Sequence, residues 1–227
     1  MTVIAVVNKS KRVTSSEIKR MVNACNIQVK RDVAPIWDAT PWSVKYYENK
    51  LPKNSISIVI FDNADEADTL GYHSETPDGK RYGRVFVNPI LRSGGDILSK
   101  PNSVSVTLSH EVLEAFIDPD INLWAEDDKG RMWAYEICDP VEATSYRIAN
   151  VAVSNFVTRL WFDSENQPGS KFDYLQLTKR AFQVLPDGYA VCRAGNQKEQ
   201  IVWGKKYPKY KKLAKRHPAA RTAQRHF

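Results

Sequence analysis

Apolar residues change their spacing several times along this chain, and each change predicts a different element. Residues 2–7, Thr2-Val3-Ile4-Ala5-Val6-Val7, form a nearly unbroken β-branched run of the kind that becomes a buried strand. Thr14, Ser15, Ser16 and Glu17 then supply capping side chains. After them Ile18, Met21, Val22, Cys25, Val29 and Val33 recur near 3.6-residue spacing, which predicts a helix that Pro35 ends. Residues 55–61, Ser55-Ile56-Ser57-Ile58-Val59-Ile60-Phe61, predict a second strand. A strand, helix, strand succession predicts a right-handed parallel crossover.

Residues 71–83 are rich in turn formers and read as a loop leading into a third strand at 84–88, before Gly94-Gly95 breaks the chain. Residues 103–117 predict a helix whose core stripe is Val106, Leu113, Phe116 and Ile117. Asp118-Pro119-Asp120 stops it, because a proline disfavours helical geometry in the residue before it. Residues 133–139 read as a strand or a short irregular piece carrying two acids. Residues 150–162 read as one or two strands, and Pro186-Asp187-Gly188-Tyr189 as a turn before Ala190-Val191-Cys192. With no repeat and no Gly/Ser linker, the expectation is one α+β domain over residues 1–203 and a tail over 204–227.

Composition sharpens this picture. A hydrophobic fraction of 42% with six Trp, ten Tyr and eight Phe supports a full core and excludes disorder for most of the chain. Cys25, Cys138 and Cys192 lie far apart, odd in number and without a C-x-x-C pair. They argue against a disulfide scaffold or a thiolate zinc cluster and read as core residues. The apolar start, residues 1–8, is too short and too soon followed by charge to read as a signal peptide. No apolar run approaches the ~20 residues of a membrane span. The expectation is therefore a soluble protein of a reducing cytoplasm, with no membrane partner.

The net charge of +7 belongs to one end. Residues 204–227 hold six Lys and three Arg with no acid, which leaves 24 of the 33 basic groups to face 26 acids in the body. Tyr207 and Tyr210 stand among these cations. Such a segment suits phosphate neutralisation and base stacking, or docking on an acidic protein surface.

The candidate chemistry lies in Ser109-His110-Glu111-Val112-Leu113-Glu114. Residues four apart on a helix share a face, so His110 and Glu114 are placed to bind one divalent metal. Glu111 points roughly 100° away, towards a water on that metal. The arrangement is that of the H-E-x-x-H zinc hydrolases with the second His replaced by Glu. A hydrogen-bonded His–Glu pair on a half-buried helix is the competing reading. A zinc site with an open position needs a third ligand, for which Asp118, Asp120, Glu136 and Asp139 are the candidates. Asp120 has the spacing of a sharp return after the helix, but Ile117 stands where that return usually needs Gly. Glu136 is the favoured ligand, with Asp139 as an alternative ligand or as the partner that orients His110. The donor set suits Zn²⁺ and also tolerates Mn²⁺, Fe²⁺ or Ca²⁺. His73, in Gly71-Tyr72-His73-Ser74, is a loop residue whose functional reading is a transition-state donor or an extra ligand.

Several blocks in order resemble a family of bacterial and bacteriophage proteins with zincin-like motifs. They are Arg31-Asp32-Val33-Ala34-Pro35-Ile36-Trp37, Gly71-Tyr72-His73-Ser74, Gly83-Arg84-Val85-Phe86 and Ser109-His110-Glu111-Val112-Leu113-Glu114. Asp118-Pro119-Asp120-Ile121-Asn122-Leu123, Tyr135-Glu136-Ile137-Cys138-Asp139, Val153-Ser154-Asn155-Phe156-Val157 and Leu185-Pro186-Asp187-Gly188-Tyr189 continue the series. The resemblance implies a zincin-type core, with a mixed sheet, a backing helix and the H-E helix across a cleft. The resemblance covers most of residues 20–192 and gives neither an activity nor a role for the tail, so two roles stand as expectations. One is a zinc-dependent hydrolase, most plausibly a metallopeptidase, with Glu111 as general base. The other is a non-catalytic phage virion or assembly protein whose tail binds DNA or neighbouring subunits, in the virion or the host cytoplasm.

Overall fold

The computed structural model describes residues 2–65, 69–165, 169–195 and 197–204. The basic tail expected to bind nucleic acid or other subunits lies, apart from Gly204, outside the described residues.

Strand β1, Val3–Asn8, is buried through its middle, as its unbroken apolar run demands. Helix α1, Ser15–Ile27, opens with a reciprocal cap. Glu17 N donates to Thr14 Oγ1 at 3.2 Å and Thr14 N to Glu17 Oε2 at 2.8 Å. The helix does not end at Pro35 as expected. It widens into a π-helical stretch, Gln28–Val33, and continues as α2, Ala34–Trp37. Ala34 N reaches back five residues to Val29 O, so Pro35 falls in the first turn of a new helix, where its missing N–H costs nothing. Asp38, at φ 51°, ends that turn.

Strands β2 (Ser43–Tyr46), β3 (Ile56–Phe61), β4 (Gly71–Glu75) and β5 (Arg81–Phe86) complete a sheet of order β2-β1-β3-β5-β4. The expected parallel pairing of β1 with β3 is present, from Ile4 opposite Ile56 to Asn8 opposite Ile60. Strand β2, not foreseen, lies parallel on the other flank of β1. A second correction matters more. Residues 71–75 are a strand, not a loop, and pair antiparallel with β5 so that His73 stands opposite Gly83. Turn-forming residues here are held extended by a tertiary ladder that outweighs their low strand propensity. Strand β5 ends at Phe86, and Val87–Arg92 forms helix α3 rather than prolonging the strand.

Helix α4, Val104–Ile117, matches its expected span, with Ser103 Oγ accepting Val106 N at 3.3 Å. All its residues except Thr107 and Ile117 are buried. It packs on β4, β5, β3 and β1 and also meets α1 and residues 151–154. Strands β8 (Ser145–Ile148) and β9 (Val151–Ser154) form a hairpin. A second, antiparallel sheet has the order β11-β10-β7-β6, from β6 (Trp124–Glu126), β7 (Arg131–Ala134), β10 (Tyr189–Ala194) and β11 (Gln200–Trp203). Residues 159–162 make a 3₁₀ turn, not a second strand. That turn drives Trp161 and Phe162 into an aromatic cluster with Trp133, Tyr135 and Trp37. The chain is α+β, and one hydrophobic cluster runs from Ile4 through Leu113 to Cys192. No helix among the described residues is long and apolar enough to cross a membrane.

Candidate metal centre

Helix α4 supplies His110, Glu111 and Glu114 on adjoining faces, and two serines on its far side hold it in place. Ser105 Oγ donates to Ala152 O at 2.7 Å, and Ser109 Oγ accepts Ser154 N at 2.6 Å, so the helix is pinned to β9. Strand β4 carries His73 towards it. The approach depends on Gly71, where a Cβ would stand 2.7 Å from Thr107 Cγ2 and 2.9 Å from Glu111 Oε1. The chain leaving β7 adds Glu136 and Cys138, and the 3₁₀ turn Asp139–Val141 adds Asp139.

These side chains converge. His110 Nε2 lies 3.1 Å from Glu114 Oε1 and 3.1 Å from Asp139 Oδ1. His73 Nδ1 lies 3.2 Å from Glu111 Oε2 and 3.5 Å from Glu114 Oε2, while its Nε2 is 3.5 Å from Glu136 Oε2. Cys138 N donates to Glu114 Oε1 at 3.3 Å. Glu111, Glu114, Glu136, Asp139 and His110 are all more than nine-tenths buried. His73 Nε2 is buried and makes no hydrogen bond.

Both imidazoles and two of the carboxylates, Glu114 and Asp139, hold on to protons. Burial opposes the charged form of His73, but Glu136, Glu111 and Glu114 outweigh it and raise its pKa to about 9. Burial likewise opposes the His110 cation, and Glu114, Cys138 and Asp139 overcome it, so that its pKa lies well above the usual value. Burial lifts Glu114 to about 8 and Asp139 to about 6, with other carboxylates adding and His110 partly offsetting both. Neighbouring carboxylates raise the imidazoles and burial chiefly raises the two carboxylates, and a divalent cation would stabilise the ionised acids.

Of the third-ligand candidates, Glu136 and Asp139 enter the cluster while Asp118 and Asp120 do not. Asp118 accepts the N–H groups of Asn122 and Leu123 at 3.0 and 3.1 Å, closing the turn after α4. Asp120 is exposed and pairs with Arg81 at 3.4 Å. Three further residues stand at the site without a sequence pattern to mark them. Cys138, which its spacing reads as a core residue, belongs to one of two sets of ligand atoms among the described residues that lie within 4.8 Å of one another, His110–Glu114–Cys138 and His73–Glu114–Glu136. Its one sequence signal was its place between two candidate acids. Tyr189 hydrogen-bonds Asp139 from β10, and Glu142 follows the 3₁₀ turn. Neither carried a local signal. Both line a cleft of about 260 Å³ that His110 and Glu111 also border, between β4, the 94–107 region and β10.

The fold and site define an α+β protein with a buried imidazole, carboxylate and thiol cluster at the foot of a cleft. No family model, no curated protein and no solved structure matches the chain.

Proposed function

We propose that this protein is a metal-dependent hydrolase of the zincin type, acting on a peptide carbonyl with Glu111 as general base. The observation that carries the reading is the convergence of His73, His110, Glu111, Glu114, Glu136 and Asp139 beside a cleft, with His73 Nε2 buried 3.5 Å from Glu136 Oε2. Nitrogen and carboxylate donors suit Zn²⁺, and Glu114 is common to both sets of close ligand atoms. A bound divalent cation supplies Lewis-acid polarisation of the carbonyl and makes water a nucleophile near neutral pH.

The chain's own residues do the rest. Glu111 borders the cleft, and His73 Nδ1 holds one of its oxygens at 3.2 Å, leaving the carboxylate aligned to take a proton from water and return it to the leaving amine. Tyr189 lies at the cleft wall beside Asp139, whose ionised form its hydroxyl favours. Strand β4 is an edge of its sheet, and an extended peptide can pair with such an edge beside Glu111. Support for a zincin-type core comes from the mixed sheet, its antiparallel edge strand next to the H-E helix, and α1 meeting α4 from behind.

Elemental analysis of protein purified without a metal-affinity tag, paired with Glu111→Gln, tests this. The expected result is bound metal in both proteins and hydrolysis lowered about 10²–10⁴-fold in the variant. Equal hydrolysis by both proteins would remove Glu111 from the mechanism.

A further inference from the structure

We infer that the cluster holds two divalent cations bridged by Glu114, the second of them bound by His110 and by Cys138 as a thiolate. The inference rests on the metal-binding reading above and extends it. Glu114 turns one oxygen to each imidazole, Oε1 to His110 at 3.1 Å and Oε2 to His73 at 3.5 Å. That division is what a carboxylate bridging two cations requires. Donors around a single cation sit at ~2.0–2.3 Å from it and so within about 4.6 Å of one another. Two ligand sets approach that limit, with every distance inside 4.8 Å, and Glu114 is the member they share.

Cys138 is placed for the second set by its backbone as well as its side chain. It is fully buried, and its N–H donates to Glu114 Oε1 at 3.3 Å, so the thiol is held beside the bridging carboxylate. Its Sγ lies 4.0 Å from His110 O and also interacts with Ser154. Asp139, 3.1 Å from His110 Nε2, supplies a further oxygen on the same side. Charge agrees with two cations. Glu111, Glu114, Glu136 and Asp139 bring four negative charges into one buried volume. Once ionised, these four carboxylates and the Cys138 thiolate carry five negative charges, of which one divalent cation offsets two and two cations offset four. Cation binding displaces the thiol proton to solvent. A thiolate donor also selects the occupant, favouring zinc and other thiophilic metals over calcium or magnesium.

The test uses the full-length protein, stripped by chelator and reconstituted with Co²⁺, alongside elemental analysis of the protein as purified. Two metals per chain and a near-ultraviolet thiolate-to-cobalt charge-transfer band are expected for the unaltered protein. Cys138→Ser should bind one metal and lose that band while keeping the visible cobalt bands. His73→Ala should bind one metal and keep the charge-transfer band. One metal per chain without a thiolate band overturns the two-cation assignment and leaves a single-metal hydrolase standing. Two metals without the band removes Cys138 and equally overturns the assignment. No metal at all overturns both readings.

Discussion

Asp118 is fully buried and accepts two backbone N–H groups, from Asn122 and Leu123. Asp118→Ala therefore strands two donors in the turn that follows α4. The expected cost is about 1–3 kcal/mol for each donor left unsatisfied, read as a lower melting temperature, with metal content unchanged. Loss of metal in that variant would return Asp118 to the list of ligands. The contrast with Glu136 and Asp139 shows what spacing alone leaves open. All these acids follow the H-E helix at plausible distances, but only the direction in which the chain turns decides which carboxylate faces His110. Asp118 is spent on its own turn and Asp120 on Arg81.

Between elements, the contact that positions the site is the approach of β4 to α4 at Gly71. A methyl group there would lie 2.7 Å from Thr107 Cγ2, 2.9 Å from Glu111 Oε1 and 3.0 Å from Arg84 O. Gly71→Ala is expected to push the strand off the helix, costing about 1–3 kcal/mol from overpacking and lengthening the His73–Glu111 contact. Hydrolysis should fall further than stability alone explains, measured as kcat at a temperature well below the melting transition. A variant as stable and active as the parent would show that β4 shifts freely, and that this contact does not set the site. Helix α4 was legible beforehand because its cap, apolar spacing and terminating Asp-Pro all lie within one local stretch. Strand β4 was not, because a ladder with β5 and burial of Tyr72 and Ser74 make it a strand, and both depend on partners elsewhere.

Across the whole molecule, the proton-rich cluster predicts a pH dependence with a definite sign. In chelator, His73 has its pKa raised from 6.5 to about 9, so its contribution is full below about 6.5 and is lost as pH rises through about 9. Burial raises Glu114 from 4.5 to about 8 and Asp139 from 3.8 to about 6. The unfolded chain gives up those protons sooner, so both also erode stability as pH climbs through these ranges. The metal-free melting temperature should therefore fall from pH 5 to pH 9, and zinc should restore it most at the alkaline end, where fewer protons must leave. A metal-free protein that grows more stable over that range would contradict the cluster's charge balance. The tail calls for a separate measurement. With nine cations and no acid against a nearly neutral body, residues 204–227 are proposed as the anion-binding element of the chain, for nucleic acid or acidic subunits of a phage assembly. Their removal should leave the melting temperature nearly unchanged and abolish nucleic-acid binding that otherwise weakens steeply with salt. Equal binding by the shortened protein would refute that role.

Local patterning along the chain determined the strands β1 and β3, the capped helix α1, and the helix that sets His110 and Glu114 one turn apart. These depend on residues within a few positions of one another, and periodicity and capping record such short-range constraints. Tertiary structure alone decided that His73 belongs on a strand, and that Glu136 and Asp139 approach while Asp118 and Asp120 turn away. It also decided that Cys138, Glu142 and Tyr189 border the same chemistry. Those placements follow from pairing and burial between segments far apart in the chain, where a residue's surroundings are set by its partners and not by its neighbours in sequence.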